Sequence, residues 1–168
     1  MGAKIRTVKD EFPEMKKTVE ALSGAKVRVG VLTGEHQWLA AIHEYGCKIP
    51  VTPKMRAYLH SIGVHLKKST TEIVIPERSF LRAGFDERHK EVLDQAERVL
   101  PDVLAGTMSE EQYLDLVGMT LRDAIKDYAV DLKDPPKKPW PTRDSGKNNP
   151  LIQTGAMVNG IEYEIERE

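Results

Sequence analysis

Apolar residues recur along this chain in two rhythms, one returning every third or fourth position and one every second. Phe12, Met15, Val19 and Leu22 follow the first, with Asp10 placed to cap a helix and Ser23-Gly24 placed to stop it. Trp38, Leu39, Ile42 and Tyr45 form a shorter helical stretch that ends at Gly46. Met55, Leu59 and Ile62 form another, opened by Thr52-Pro53 and closed by Gly63. A long helix is expected from Ser79 through Phe85, His89, Val92, Ala96 and Val99, disturbed at Pro101. Ser109-Glu110-Glu111-Gln112 has the pattern of a capping box, and Leu114, Val117, Leu121, Ile125 and Tyr128 continue behind it at helical steps.

The period-2 rhythm appears three times. Val27, Val29 and Val31 alternate with Lys26, Arg28 and Gly30 over Lys26 to Thr33, and Thr71, Ile73 and Ile75 alternate before Pro76. Ile161, Tyr163 and Ile165 alternate with Glu162, Glu164 and Glu166 after the turn dipeptide Asn159-Gly160. These elements predict an α+β fold: a small, mostly antiparallel sheet of three to four strands packed by two long helices, with shorter helices around it. Phe80, Leu81, Phe85, Leu121 and Ile125 are expected to join the long helices to the sheet face that carries Val27, Val29 and Val31.

One stretch follows neither rhythm. Residues 133–150 hold five of the ten prolines, and their five basic residues outnumber two acidic ones. Long irregular segments are uncommon inside compact domains and usually carry function. The segment reads as an extended proline-rich arm within a single α+β domain spanning 1–168, a length that suits one core.

Composition narrows the function classes. Lys and Arg total 25 against 26 Asp and Glu, which removes the strong positive charge of a protein that grips nucleic acid over its whole surface. Cys47 is the only cysteine, so the chain can form no internal disulfide and no thiolate zinc cage. A reducing compartment and synthesis in the cytosol are expected. Neither a signal-like apolar segment at Met1 to Arg6 nor an apolar run near membrane-spanning length occurs.

No catalytic, cofactor or metal residues are assigned. His43-Glu44 begins like a zinc-protease motif, but Cys47 stands where the second histidine is needed, so a polar pair at a helix end is the better reading. His36, His60, His65 and His89 are scattered, with His60 and His65 on opposite sides of Gly63. Gly24, Gly30 and Gly34 lack the residues that complete a phosphate-binding loop, no nucleophile elbow occurs, and Glu110-Glu111 suit the first turn of a helix. Tyr113, Tyr128 and Trp140 do not interleave with basic residues as an RNA-binding sheet requires.

Three strings in order carry a resemblance. Ala40 to Gly46 contains H-E-x-G; Ile75 to Arg82 reads I-P-E-R-S-F-L-R and is followed by Phe85-Asp86; Asn149 to Met157 contains P-L-I-Q-T-G ahead of a closing strand. From about residue 26 to the C-terminus the chain resembles the tail-completion and head-to-tail joining proteins of long-tailed bacteriophages, in the tail-component and virion-morphogenesis group. Residues 51–68 look like an insertion present in part of that family. Ala156-Met157 and Asn159-Gly160 depart from its usual Gln-Leu and Asn-Ser.

The resemblance implies a non-enzymatic virion protein of the neck or head-proximal tail end, assembled in the bacterial host cytoplasm as a ring with six-fold symmetry. Its partners would be further copies of itself and adjacent neck, tail-terminator, tail-tube or tape-measure proteins, with DNA only passing through a channel. A tail-terminator or head-closure ring is the nearest alternative. A small metal-dependent nuclease using His43 and Glu44, or an assembly chaperone, would be alternatives of another class. Candidate subunit contacts are Pro135, Pro136, Pro139, Trp140, Pro141, Arg143, Leu151, Ile152, Thr154 and Gly155. Glu162, Glu164 and Glu166 are candidates for a channel-facing strand that would repel phosphates, against the plainer reading of a solvated strand face.

Overall fold

The structure, a computed structural model, describes residues 12–137, 149–152 and 154–167. Asp10, the expected cap of the first helix, lies outside them. The elements run α1 (Phe12–Ser23), β1 (Ala25–Gly30), α2 (Gln37–Tyr45), β2 (Cys47–Pro50), α3 (Pro53–Ser61), β3 (Glu72–Ile75), α4 (Phe80–Leu104), α5 (Glu110–Asp131), α6 (Ala156–Asn159) and β4 (Glu162–Arg167).

The fold is α+β, with α4 and α5 packing against a small antiparallel sheet of two plus two strands. The first and last strands pair, Val27 opposite Ile165 and Val29 opposite Tyr163. The second pair joins Cys47 to Ile75 and Ile49 to Ile73. Strand β2 has no counterpart in the sequence reading. It offers only Cys47 and Ile49 as alternating apolar positions before Pro50, too short a run to reveal a period.

The helix hairpin α4–α5 supplies most of the core. Phe80 and Ile161 are completely enclosed, and Val92, Leu121, Ile125 and Met157 are buried around them. Val29, Val31, Leu81 and Val117 pack against that cluster as partly buried neighbours. Phe85, expected in the core, is instead 45% exposed and stacks on His89. The neighbouring Gly84 takes the position facing α5, where the ring of Tyr128 lies within 3.2 Å of the place a β-carbon would occupy. Gly118 does the same on α5: a β-carbon there would overlap the ring of Tyr163, whose hydroxyl donates to Asp115 Oδ1 at 3.1 Å.

Helix α5 starts at the expected capping box. Gln112 N–H donates to Ser109 Oγ, and Ser109 N–H donates to Gln112 Oε1. Helix α4 continues past Pro101 to Leu104. The proline lies in the last turns, where few backbone bonds remain to be lost, and burial of Val103 holds the end in place. Helix α1 touches α4 and α5 but buries no residue, and its Phe12 and Val19 stay largely exposed. Its apolar stripe is therefore mostly a surface feature of the single chain.

Candidate functional site

The strings Ala40–Gly46 and Ile75–Arg82 meet at one corner of the molecule. Gly46 ends α2 with φ +73°, and a β-carbon there would stand 2.9 Å from Glu77 N and 3.0 Å from Ile75 O. Only glycine permits both the turn and the close approach. That approach delivers Glu44, 2% exposed, to the start of α4.

The Glu44 carboxylate accepts hydrogen bonds from Ser79 Oγ (2.9 Å), Leu81 N–H (2.9 Å), Arg82 N–H (3.0 Å) and Arg82 Nε (2.9 Å). A side chain from α2 thus caps α4, supplying negative charge where the unpaired N–H groups and the helix dipole favour it. Ser79, which the sequence places as the cap, holds the N-cap position without capping and donates to Glu44 instead. Arg82 also reaches Glu44 O and Glu77 Oε1, and its guanidinium lies 4.7 Å from the centre of the Tyr45 ring. Burial pushes the Glu44 carboxyl upward, but its bonds to Leu81, Arg82 and Ser79 outweigh that, and the group ends below the ordinary carboxylate value.

Arg78 lies beside this cap and is 6% exposed. Its backbone N–H donates to His43 O at 2.7 Å, its Nε to Pro135 O at 2.8 Å and its Nη2 to Pro136 O at 3.2 Å. Arg78 Nη1 stands 3.3 Å from His43 Nδ1. Guanidinium can only donate, so that nitrogen accepts and the imidazole carries its proton on Nε2. Burial first, then the positive charges of Arg78 and Lys137, hold the His43 pKa below its ordinary value, which keeps the ring neutral. Burial likewise lowers Arg78 and, together with Arg78, lowers Lys137.

The third string is linked to this corner through the arm. Lys137 Nζ donates to Ile152 O, joining the residues on either side of the arm's central part. Asn149 donates from Nδ2 to Ala129 O and Val130 O in the last turn of α5, while its Oδ1 accepts from Leu151 N–H and Ile152 N–H. Leu151 is 6% exposed and belongs to the core of its own chain, so little of it is left to meet a neighbour. Ile152 packs against that core, Thr154 is exposed, and Gly155 (φ +84°) begins the α6 turn that leads into β4. Pro135 and Pro136 present their carbonyls to Arg78. Pro139, Trp140, Pro141 and Arg143 lie outside the described residues.

On β4, Glu162, Glu164 and Glu166 are exposed and stand opposite Gly30, Arg28 and Lys26 of β1. Arg28 pairs with both Glu164, at 3.1 Å, and Glu166. The face is therefore a mixture of three carboxylates and two cations, rather than the uniformly acidic surface expected of the strand considered alone.

His43 and Glu44 do not form a metal site at this corner. Both oxygens of Glu44 are taken up by hydrogen-bond donors, and the available nitrogen of His43 faces a cation. Among the described residues, no three His, Cys, Asp or Glu side chains come together as a metal-binding group, and no helix is long and apolar enough to cross a membrane. The roles of Glu44 and Arg78 escaped the sequence reading, since Arg78 stands among the charged residues Glu77 and Arg82 and Glu44 beside the polar His43. Comparison of the chain with family models, with curated proteins and with solved structures finds no match.

Proposed function

We propose that this chain is a structural subunit of a tailed-phage neck, a ring-forming tail-completion or head-to-tail joining protein. The observation that carries the reading is that the first two resembling strings meet at one corner, through Gly46, Glu44, Arg78 and Arg82, and that the third, Asn149 to Ile152, is tied through Lys137 to the arm that Arg78 holds there. Each string is explained there by what it holds in place. The body they build grips both ends of a proline-rich arm through Arg78, Lys137 and Asn149. In this reading the arm meets a neighbouring subunit, and its prolines limit the conformational entropy that such a contact costs. Closed rings need such heterologous contacts, in which one patch meets a different patch of the next copy.

In this reading the partners are further copies of the chain and the adjacent neck, terminator, tail-tube or tape-measure proteins, and the protein resides in the virion. The test is sedimentation velocity and negative-stain imaging of the full chain beside a variant lacking residues 138–148. The full chain should form rings, and the variant should remain a folded monomer. A variant that assembles normally would reduce the arm to a linker. Absence of the protein from purified particles, measured by mass spectrometry, would sink the structural-subunit reading.

A further inference from the structure

Away from this corner, α3 and the segment that follows it bring together two histidines that lie on opposite sides of Gly63 in the sequence. Helix α3 opens with Thr52 Oγ1 accepting from Met55 N–H and with Pro53 in its first turn. It closes in a Schellman motif: Gly63, at φ +85°, donates to His60 O at 3.1 Å, and Val64 N–H donates to Leu59 O at 2.8 Å. The chain reverses there. Arg56 then fixes the returning segment, donating to Leu66 O (3.2 Å), Lys67 O (3.0 Å) and Thr70 O (2.6 Å).

This reversal lays His65 against His60, with the two Nδ1 atoms 2.8 Å apart and the ring centres 4.5 Å apart. Both side chains are exposed, and they line one shallow pocket with Pro53, Ala57 and Leu66. In the free chain the two rings share a bent N–H···N hydrogen bond, whose proton a metal ion between them would displace. Two imidazole nitrogens each about 2 Å from one shared ion, at nearly a right angle, give about 2.9 Å between nitrogens and about 4.5 Å between ring centres.

The geometry points to a two-histidine site for a divalent, nitrogen-preferring transition metal, with His60 Nδ1 and His65 Nδ1 as cis ligands and the remaining positions open to water. The near-right angle favours Cu²⁺ or Ni²⁺; Zn²⁺, which prefers a tetrahedral angle, requires the nitrogens to part by about half an ångström. The pair is preorganised because neither backbone position depends on the metal. The Gly63 turn and the Arg56 clamp set both. Arg56 also lies in the same pocket, and its positive charge opposes any cation there. The site therefore rests on its two nitrogen donors, which hard ions such as Mg²⁺ do not prefer. The inference is independent of the ring proposal.

The experiment is calorimetric titration of the untagged full chain with Cu²⁺, Ni²⁺ and Zn²⁺ chlorides, with Mg²⁺ as the control, on the unchanged protein and on His60→Ala, His65→Ala and His36→Ala. One Cu²⁺ or Ni²⁺ per chain is expected, weakened at least about tenfold by loss of either ligand and unaffected in His36→Ala. Electron paramagnetic resonance of the Cu²⁺ form should show nitrogen couplings from two imidazoles, falling to one in each single variant. Circular dichroism without metal should be unchanged, since both histidines are exposed. Equal binding in the unchanged protein and both single variants, no binding of Cu²⁺ or Ni²⁺ at all, or equal binding of Mg²⁺ would overturn the assignment.

Discussion

Two of the arginine–glutamate pairings in this molecule, Arg82 with Glu44 and Arg28 with Glu164 and Glu166, do different work. At the corner, Glu44 is buried and satisfied by a hydroxyl, two backbone N–H groups and the Arg82 guanidinium, and it fixes the angle at which α2 meets α4. On the β1–β4 ladder, Arg28 lies between Glu164 and Glu166 with all three side chains in water. Residue type is the same, but only the first arrangement determines architecture. Removing a partner inside protein strands a desolvated group, whereas a surface pair exchanges its bonds for water at little cost.

Glu44→Ala should give the largest effect that tests this contrast, a loss of about 3–5 kcal/mol in urea unfolding, because it uncaps α4 and leaves Ser79 and two N–H groups without an acceptor. A loss below about 1 kcal/mol would mean that water replaces the carboxylate and that the corner resembles the ladder after all. Arg78→Ala should come next, at about 2–4 kcal/mol, since it strips the donor from two proline carbonyls and from His43. It should also speed hydrogen exchange and proteolysis over residues 133–137 and 149–152 while leaving the α4–α5 hairpin protected. Uniform loosening of the whole chain would instead make Arg78 a general core residue.

Acid should reveal a smaller difference. The folded pKa of Glu44 is depressed, so its contribution is fully present above the ordinary carboxylate value and is lost as pH falls through the folded value. Glu44→Gln should therefore flatten the acid limb of stability against pH relative to the unchanged protein, and an identical slope would assign the acid sensitivity to other carboxylates. Arg28→Ala should do least, leaving the urea midpoint almost where it was at moderate salt. A clear drop that persists at high salt would show that the ladder pairing is structural and would erase the contrast with the corner.

The long helices were legible because their signals are local. A capping box needs only Ser109 and Gln112, and an apolar stripe such as Leu114, Leu121 and Ile125 can be counted along the chain. The strand at Ile161 to Glu166 was legible for the same reason, down to which residues face inward. Phe85 was misplaced because the period of α4 allows either it or Gly84 to face α5, and the ring of Tyr128 decides between them. Helix α1 has a clear stripe with little to cover it, which a period cannot reveal. His60 and His65 lie on opposite sides of Gly63 in the sequence, and only the Schellman reversal there folds the second ring back onto the first.

The sequence by itself determined the helices, their caps and the alternation of the strands, because each follows from the conformational preferences of residues a few positions apart. Only the tertiary structure decided that the first and last strands pair, that Cys47–Pro50 is a strand, that Glu44 caps a helix beginning 36 residues later, and that Arg78 holds the start of the arm. The contacts of Glu44 with Ser79 and of Arg78 with Pro135 span 35 and 57 positions, and the first of them depends on the close backbone approach that Gly46 permits. Their energy comes from burying charged and polar groups that water would otherwise satisfy, and burial is set by how the elements cross rather than by the residues of any one of them.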